Sequence, residues 1–76
     1  ADRVRADQHF DADKAEWNLQ LAIQELPEKQ RLVFTLRYYD EMPYGEMSQV
    51  LETSEGALKA SYHHAVKKVE DFLLNH

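Results

Sequence analysis

The fold is decided by residues 42–72, which run MPYGEMSQVLETSEGALKASYHHAVKKVEDF. The second half of this stretch, with the residue that follows it, carries apolar side chains mostly three or four positions apart: Leu58, Tyr62, Ala65, Val66, Val69, Phe72 and Leu73. Such spacing places them on one side of an α-helix with about 3.6 residues per turn. It predicts a long helix over residues 54–73 that packs against a core through this apolar stripe.

A shorter helix is predicted before it, over residues 44–51, with an apolar patch of Met47, Val50 and Leu51. A short turn follows Leu51 and ends at Ser54. Serine is a favourable N-cap, because its hydroxyl can accept a hydrogen bond from an unpaired amide of the first helical turn. Two helices joined by so tight a turn, the second longer and polar on one side, are typical of a helix-turn-helix.

Two residues of this motif break local preferences. Glu52 occupies a turn position that tends to adopt a left-handed conformation, where a residue other than glycine stores about 1 kcal/mol of strain. Gly56 lies in the first turn of the long helix, where glycine is less favourable than alanine by up to about 1 kcal/mol. We interpret Gly56 as a point of close approach, preferring contact between the two helices over contact between the backbone and a phosphate.

Two more helices are predicted in the first half of the chain, over residues 13–25 and 28–39. Asp11 or Asp13 can cap the first, and Pro27 separates the two, since its missing amide costs nothing at a helix start. The inward-facing positions are predicted to be Leu19, Ala22, Ile23 and Leu26 in the first helix and Leu32, Val33 and Leu36 in the second, with Phe34 and Tyr38 on an adjoining flank.

The predicted core includes Leu26, Val33, Leu36, Val50, Leu51, Leu58, Tyr62 and Val66. Trp17 is expected to pack against neighbouring helices or, in a sharper interpretation, to border a groove for a partner's helix, since tryptophan is enriched at binding hot spots. Tyr38 and Tyr39 are expected to be half-buried. Arg31 and Arg37 are expected to remain exposed.

The composition favours a small all-α fold. The chain has 76 residues, 43% of them apolar, which allows one modest core. It contains no cysteine, which suits a reducing cytoplasm, and no apolar run long enough to span a membrane. Residues 1–12 are predicted to be a linker or a frayed helix start, and residues 13–76 the folded domain. Because the first residue is Ala1 and not methionine, we expect a fragment of a longer chain.

The net charge of −5 argues against generic nucleic-acid binding, but the charge is unevenly distributed. Residues 1–53 hold six Lys/Arg against eleven Asp/Glu, whereas residues 54–76 hold three of each. Residues 54–68 alone carry three lysines and one glutamate. The acidic residues therefore lie mostly outside the long helix, and its charge permits contact with DNA.

The polar side of the long helix offers a candidate base-reading surface. Recognition helices place residues of their N-terminal half against base edges, and Lys59, Ala60, His63 and His64 have the i, i+1, i+4, i+5 spacing of one such face. Lysine can donate to guanine O6 and N7, and alanine can touch a thymine methyl. Each histidine can donate or accept a hydrogen bond, according to its tautomer. Lys67, further along, is placed to reach a phosphate.

The stretch LPEKQRLVFTLRYYDEMPYGEMSQVLETSEGALKASYHHAVKKVEDFL, residues 26–73, resembles region 4 of the extracytoplasmic-function class of bacterial sigma factors. The resemblance rests on Leu-Pro-x-x-x-Arg, Leu-Arg-Tyr-Tyr and Thr-Ser-x-Gly-Ala-Leu-Lys in collinear order. It implies a four-helix domain that binds the −35 promoter element through its long helix and docks on core RNA polymerase, with a −10-reading domain upstream and an anti-sigma factor as a further partner.

The same resemblance implies roles for single residues. The four positions of the base-reading surface align with the family's DNA-contacting positions. Arg37 and Tyr44 correspond to residues that approach DNA phosphates, and Ser54 and Lys67 are expected to join them. Relatives often carry arginine or lysine at the position of His64, so the promoter preference of this chain cannot be carried over from them.

No enzyme, cofactor, membrane or small-molecule substrate is expected. Adjacent histidines point about 100° apart on a helix and cannot share a metal ion, and His9 and His76 lie in predicted tails. Two alternatives to a sigma factor remain open. One is the output domain of a response regulator, whose helix-turn-helix is similar. The other, motivated by the acidic charge, is a protein-interaction module with no role on DNA.

Overall fold

A computed structural model describes residues 14–75 and shows four α-helices within that range. Helix α1 spans residues 14–24, α2 spans Glu28–Tyr38, α3 spans Tyr44–Leu51 and α4 spans Glu55–Leu74. The all-α class, the helix-turn-helix and the long last helix are confirmed, and the bounds of α2 to α4 agree with prediction to within one residue. The expectations for residues 1–12 and for a cap at Asp11 or Asp13 lie outside the described residues.

Prolines precede both of the shorter inner helices. Pro27 and Pro43 are the N-cap residues of α2 and α3, with φ of −55° and −62° and extended ψ of 149° and 148°. Proline favours these starts because its ring fixes φ near −65° and the amide that it lacks would have no intrahelical partner. In α2, Glu28 in the first turn and Arg37 in the last turn place charges that complement the helix dipole.

The first core cluster joins α1, α2 and α4. Its buried members are Ala22, Ile23, Leu26, Phe34, Ala65 and Val69. Partly buried side chains pack against them, namely Leu19, Tyr62, Val66 and Phe72. Leu19, Ala22 and Ile23 of α1 and Leu26, two residues beyond its end, recur at i, i+3, i+4 and i+7, so the stripe predicted for α1 is the one that packs into the core. This cluster fixes how α1 lies against the body of the domain.

The second core cluster holds the helix-turn-helix in place. Val33 of α2, Met47 of α3 and Leu58 of α4 are buried together, with Leu58 and Met47 fully inaccessible to solvent. Around them pack Leu36, Met42, Tyr44, Leu51 and Tyr62. Since Tyr62 packs against both clusters, α4 is the helix on which the two halves of the core meet.

Most of the predicted core is confirmed, but the prediction that Val50 belongs to it is wrong. Leu26, Val33 and Leu58 are buried, and Leu36, Leu51, Tyr62 and Val66 are partly buried. Val50 is 60% exposed, because the buried side of the eight-residue α3 passes through Met47 and Leu51. These two lie about 40° apart around the helix, whereas Val50 lies about 60° from Met47 on its other side.

The predicted buried side of α2 is also partly wrong. Leu32, expected to face inward, is 46% exposed, while Phe34, placed on an adjoining flank, is 3% exposed and belongs to the first core cluster. Phe34 still stacks on Tyr38 as an i, i+4 pair, with ring centroids 5.2 Å apart. Phe34 packs between α1 and α4, and Val33 packs against α3 and α4, so the buried side of α2 runs through these two residues rather than through Leu32.

Two other packing expectations are also wrong. Trp17 is 64% exposed, so it does not pack into the core. A Cβ atom built on Gly56 would meet nothing within 4 Å, which excludes the preferred explanation that this glycine lets two helices approach closely. The alternative, approach of a ligand to the helix backbone, is compatible with that open space. Gly56 lies on the same outward side of α4 as His63 and Lys67, which follow it by about two and three helical turns.

The turn between α3 and α4 is built as the sequence predicted. Glu52 is left-handed, with φ 51° and ψ 47°, and its amide donates to the Ser48 carbonyl. The Ser54 hydroxyl oxygen accepts a hydrogen bond of 3.2 Å from the Ala57 amide, which confirms the predicted N-cap. The sequence did not reveal a second left-handed residue, Glu41, with φ 52°, in the connection between α2 and α3.

Replacing Leu58 by alanine should reduce the free energy of unfolding by about 2–5 kcal/mol, because a fully buried leucine leaves a cavity where three helices meet. Leu74→Ala is the matched control, since Leu74 is 84% exposed on the same helix. Urea denaturation followed by circular dichroism measures both. Equal midpoints for the two variants would contradict the packing described for Leu58.

Replacing Glu52 by glycine should be neutral or stabilising by up to about 1 kcal/mol, because glycine adopts a left-handed conformation without steric strain. The control is Glu46→Gly within α3, where glycine should destabilise by about 0.5–1 kcal/mol through loss of helix propensity. Thermal unfolding of both variants gives the comparison. A clear loss of stability in Glu52→Gly would show that the glutamate side chain itself supports the turn.

Candidate nucleic-acid interface

Helix α4 presents the predicted base-reading residues on the side opposite its buried stripe. Lys59, Ala60, His63 and His64 are all exposed, whereas Leu58, Ala65 and Val69 of the same helix are buried. The rings of the two histidines lie 5.9 Å apart at an interplanar angle of 62°. The structure therefore brings these four residues to one accessible surface on the N-terminal half of α4.

Arg37 is partly buried, which corrects the prediction that it is exposed. Its Nη1 donates a hydrogen bond of 3.1 Å to the main-chain carbonyl of Met42. Its guanidinium carbon lies 4.9 Å from the centroid of the Tyr44 ring. Arg31 is likewise partly buried and donates to the Gln24 side chain at 3.2 Å. Arg37 is thus fixed by the connection between α2 and α3 and by the first residue of α3.

Lys59 reaches the same aromatic ring from α4. Its ammonium nitrogen lies 5.6 Å from the centroid of the Tyr44 ring, within the range of a cation–π interaction. Tyr44 is itself partly buried and packs against the second core cluster. Three helices therefore contribute to this contact: Arg37 from α2, Tyr44 from α3 and Lys59 from α4.

An open cleft of about 410 Å³ lies beside this contact. It is lined by Arg37, Tyr38, Glu41, Tyr44 and Tyr62. Burial raises the pKa of Tyr62, and the neighbouring Tyr44 raises it further, while the Arg37 charge acts in the opposite sense. A raised pKa keeps the Tyr62 phenol neutral and able to donate near pH 7. The cleft thus offers phenol and guanidinium groups to an anionic ligand.

This cleft is not predictable from the sequence. Tyr38, Tyr44 and Tyr62 lie far apart in the sequence and on three different helices, so spacing along the chain could not group them. Tyr38 and Tyr39, by contrast, were expected to be half-buried, and they are about half exposed. Burial raises the pKa of Tyr39, as does the nearby Glu16 carboxylate, although a hydrogen bond with Gln20 lowers it.

Ser54 and Lys67 lie at two ends of the outward side of α4. The Ser54 hydroxyl is exposed and accepts from the Ala57 amide, which leaves its own hydrogen free to donate. Lys67 is exposed one turn beyond His63. Glu55 adds a negative charge at the start of α4, and its Oε2 lies 3.7 Å from the position that a Cβ atom on Gly45 would occupy. The interface is therefore mixed in charge rather than uniformly basic.

Within residues 14–75, no group of three or more histidine, aspartate or glutamate side chains is arranged to hold a metal ion. None of the helices in that range is both long enough and apolar enough to cross a membrane. His9 and His76 lie outside the described residues.

The comparison with known families agrees with the motif. A family model described as sigma-70, region 4 matches residues 16–69, which cover nearly all of α1, the whole of α2 and α3, and most of α4. The chain belongs to the sigma-70 region 4 family. A search of curated proteins finds no significant match. All of the predicted contact residues, from Arg37 to Lys67, fall inside the matched region.

Membership of this family establishes the general role of the domain. Sigma-70 region 4 is a DNA-binding regulatory domain that takes part in promoter recognition with RNA polymerase, and it is not a catalytic family. The resemblance found in the sequence is therefore confirmed at the level of sigma-70 region 4. The family match also favours a sigma factor over the output domain of a response regulator.

Proposed function

We propose that this domain recognises the −35 promoter element within an extracytoplasmic-function sigma factor, in the cytoplasm and on core RNA polymerase. The observation that carries the proposal is the outward side of α4, where Lys59, Ala60, His63 and His64 are exposed together opposite the buried stripe. A helix held in a helix-turn-helix by its other side can enter the major groove with such a surface.

The chemistry of this surface suggests a role for each residue. Ala60 is small and apolar, which suits contact with a thymine methyl, and both imidazoles can donate to or accept from a base edge. Lys59 can donate either to guanine or to a phosphate. With no arginine among the four, the surface lacks the bidentate partner that most often selects guanine. Base selection is therefore expected to rest on hydrogen bonds from imidazole and on methyl contacts.

Contacts with the DNA backbone are proposed for Arg37, Tyr44, Ser54 and Lys67. Arg37 and Tyr44 lie on one flank of α4, where the second core cluster fixes the tyrosine. Ser54 lies at the N-terminus of α4, where the helix dipole favours an anion, and Lys67 lies further along the exposed side. Such contacts set the register of the helix on the duplex and carry no sequence information directly.

The side away from the recognition surface is proposed to dock on core polymerase or an anti-sigma factor. An apolar groove there is lined by Leu19, Phe34, Tyr38, Tyr62, Val66, Val69, Glu70 and Leu73. Trp17 is exposed on α1, and we propose that it contacts the same partner.

The isolated domain should bind promoter DNA weakly, in the micromolar range or above at physiological salt. Its recognition segment carries a small positive charge on a chain of net charge −5, and few phosphate contacts give a shallow salt dependence. Tethering to polymerase and to a −10-reading domain raises the effective concentration without any new contact. Fluorescence anisotropy with labelled promoter DNA, for the domain alone and for holoenzyme, measures the difference.

Nanomolar binding by the isolated domain would contradict the tethering account. If holoenzyme binds through its −10-reading domain yet is indifferent to the −35 sequence, the acidic charge would instead favour a protein-interaction module, and the −35 proposal would be wrong. Pull-down of core polymerase by the domain would then be retained while DNA selection is absent.

His64→Arg should raise the affinity of holoenzyme for the −35 element, because arginine adds a permanent positive charge to a surface proposed to face DNA. It should also steepen the salt dependence of binding by about one phosphate contact. The measurement is promoter affinity over a series of salt concentrations, for the wild type and the variant.

The control is a promoter with a scrambled −35 element, which corrects for salt effects elsewhere in the holoenzyme. If His63→Ala and His64→Ala together leave both the affinity and the preference for the −35 sequence unchanged, the histidines do not contact DNA. Base reading would then have to lie elsewhere on α4.

A further inference from the structure

Two cations from different helices share one aromatic ring at the edge of the proposed interface. The Arg37 guanidinium carbon and the Lys59 ammonium nitrogen lie 4.9 and 5.6 Å from the centroid of the Tyr44 ring. A cation at such a distance is attracted to the negative face of the ring. The lysine side chain therefore extends from α4 toward the start of α3, away from Ala60 and His64 on the other flank of the recognition surface.

The ring on which they meet is firmly held. Tyr44 packs against the buried cluster of Val33, Met47 and Leu58 and directly follows Pro43, whose φ of −62° fixes the start of α3. Arg37 is held as well, through its hydrogen bond with the carbonyl of Met42. Only Lys59 has a long free side chain, so the position of its ammonium is set by a surface that the core has already fixed.

The charges of these cations are not neutralised by neighbouring carboxylates. Glu41 lines the adjoining cleft and Glu55 lies one turn before Lys59, yet within residues 14–75 neither forms an ion pair with Arg37 or Lys59. Two positive groups brought to one ring repel each other, and an anion placed between or beside them would offset that repulsion. Guanidinium, ammonium and phenol groups are donors suited to phosphate oxygens.

We propose that Arg37, Tyr44 and Lys59 form one phosphate-binding unit, in which Lys59 contacts the DNA backbone rather than a base. This inference rests on the proposed function. Within that function it assigns Lys59 to a phosphate, where the sequence allowed either guanine or a phosphate. Tyr44 is the positioning residue, since it holds both cations in place. Base selection then falls to Ala60, His63 and His64, a surface without a permanent charge.

The test is Lys59→Ala in the complete sigma factor assembled with core polymerase, measured on a promoter library randomised over the −35 element. Loss of a phosphate contact should lower the affinity for all sequences by a similar factor, about threefold or more, and reduce the salt slope by about 0.9. The order of the −35 sequences by affinity should not change. Lys68→Ala, which removes an exposed lysine from the same helix but away from Tyr44, is the matched control and should have little effect.

The role of Tyr44 is tested by a double-mutant cycle. Tyr44→Phe removes the phenol contact but keeps the aromatic ring, so Lys59→Ala should cost as much affinity in that background as in the wild type. Tyr44→Leu removes the ring as well and should reproduce the reduced salt slope. In the Tyr44→Leu background, Lys59→Ala should cost less than it does in the wild type, because the lysine has already lost its support. Additive effects would show that Tyr44 does not position Lys59 and would overturn that part of the proposal.

Two failures can be told apart. If wild-type holoenzyme selects particular −35 sequences and Lys59→Ala relaxes selection at one base position only, Lys59 reads a base. The phosphate-binding unit is then wrong, while the proposed function stands. If wild-type holoenzyme shows no preference over the −35 element at all, the proposed function fails, and this inference fails with it.

Discussion

The structure depends on the burial of Leu58 between Val33 and Met47. This contact joins one residue from each of α2, α3 and α4, and both Leu58 and Met47 are fully removed from solvent. Apolar burial has no direction of its own, so the orientation of the helices is set by the shapes of the side chains that fill the space. Because α4 buries its apolar stripe at Leu58, its polar side faces outward. The exposed surface of Lys59, Ala60, His63 and His64, proposed to read bases, is thus a consequence of core packing.

Tyr62 connects this core to the interface. It packs against both core clusters, stacks on Phe34 at 5.7 Å between ring centroids and lines the cleft beside Arg37 and Tyr44. A change in the packing of α4 would therefore also move the residues proposed to bind the DNA backbone. Among the described residues, few hydrogen bonds join side chains of different helices. The aromatic contacts of Tyr62 therefore help to fix where the surface residues lie relative to the core.

The acidic charge of the chain shapes how such a domain can work on DNA. Non-specific attraction to DNA grows with the number of phosphates that are neutralised. A domain with few basic residues near its DNA-contacting helix gains little affinity from this non-specific attraction. In the proposed function, its binding rests on a few well-placed contacts and on tethering to a larger assembly.

The sequence by itself determined the four helices, the N-cap at Ser54, the left-handed Glu52 and the membership of the sigma-70 region 4 family, because each depends on local chemistry or on collinear motifs. It also placed the four residues of the proposed base-reading surface on one side of α4, since helical periodicity fixes relative directions. Only the tertiary structure decided which neighbours cover each helix. That is why Met47 and Phe34 are buried while Val50 and Leu32 are exposed. It also brought Arg37, Tyr44 and Lys59 to one ring, because contacts between separate helices depend on how the helices pack, which periodicity within one helix does not specify.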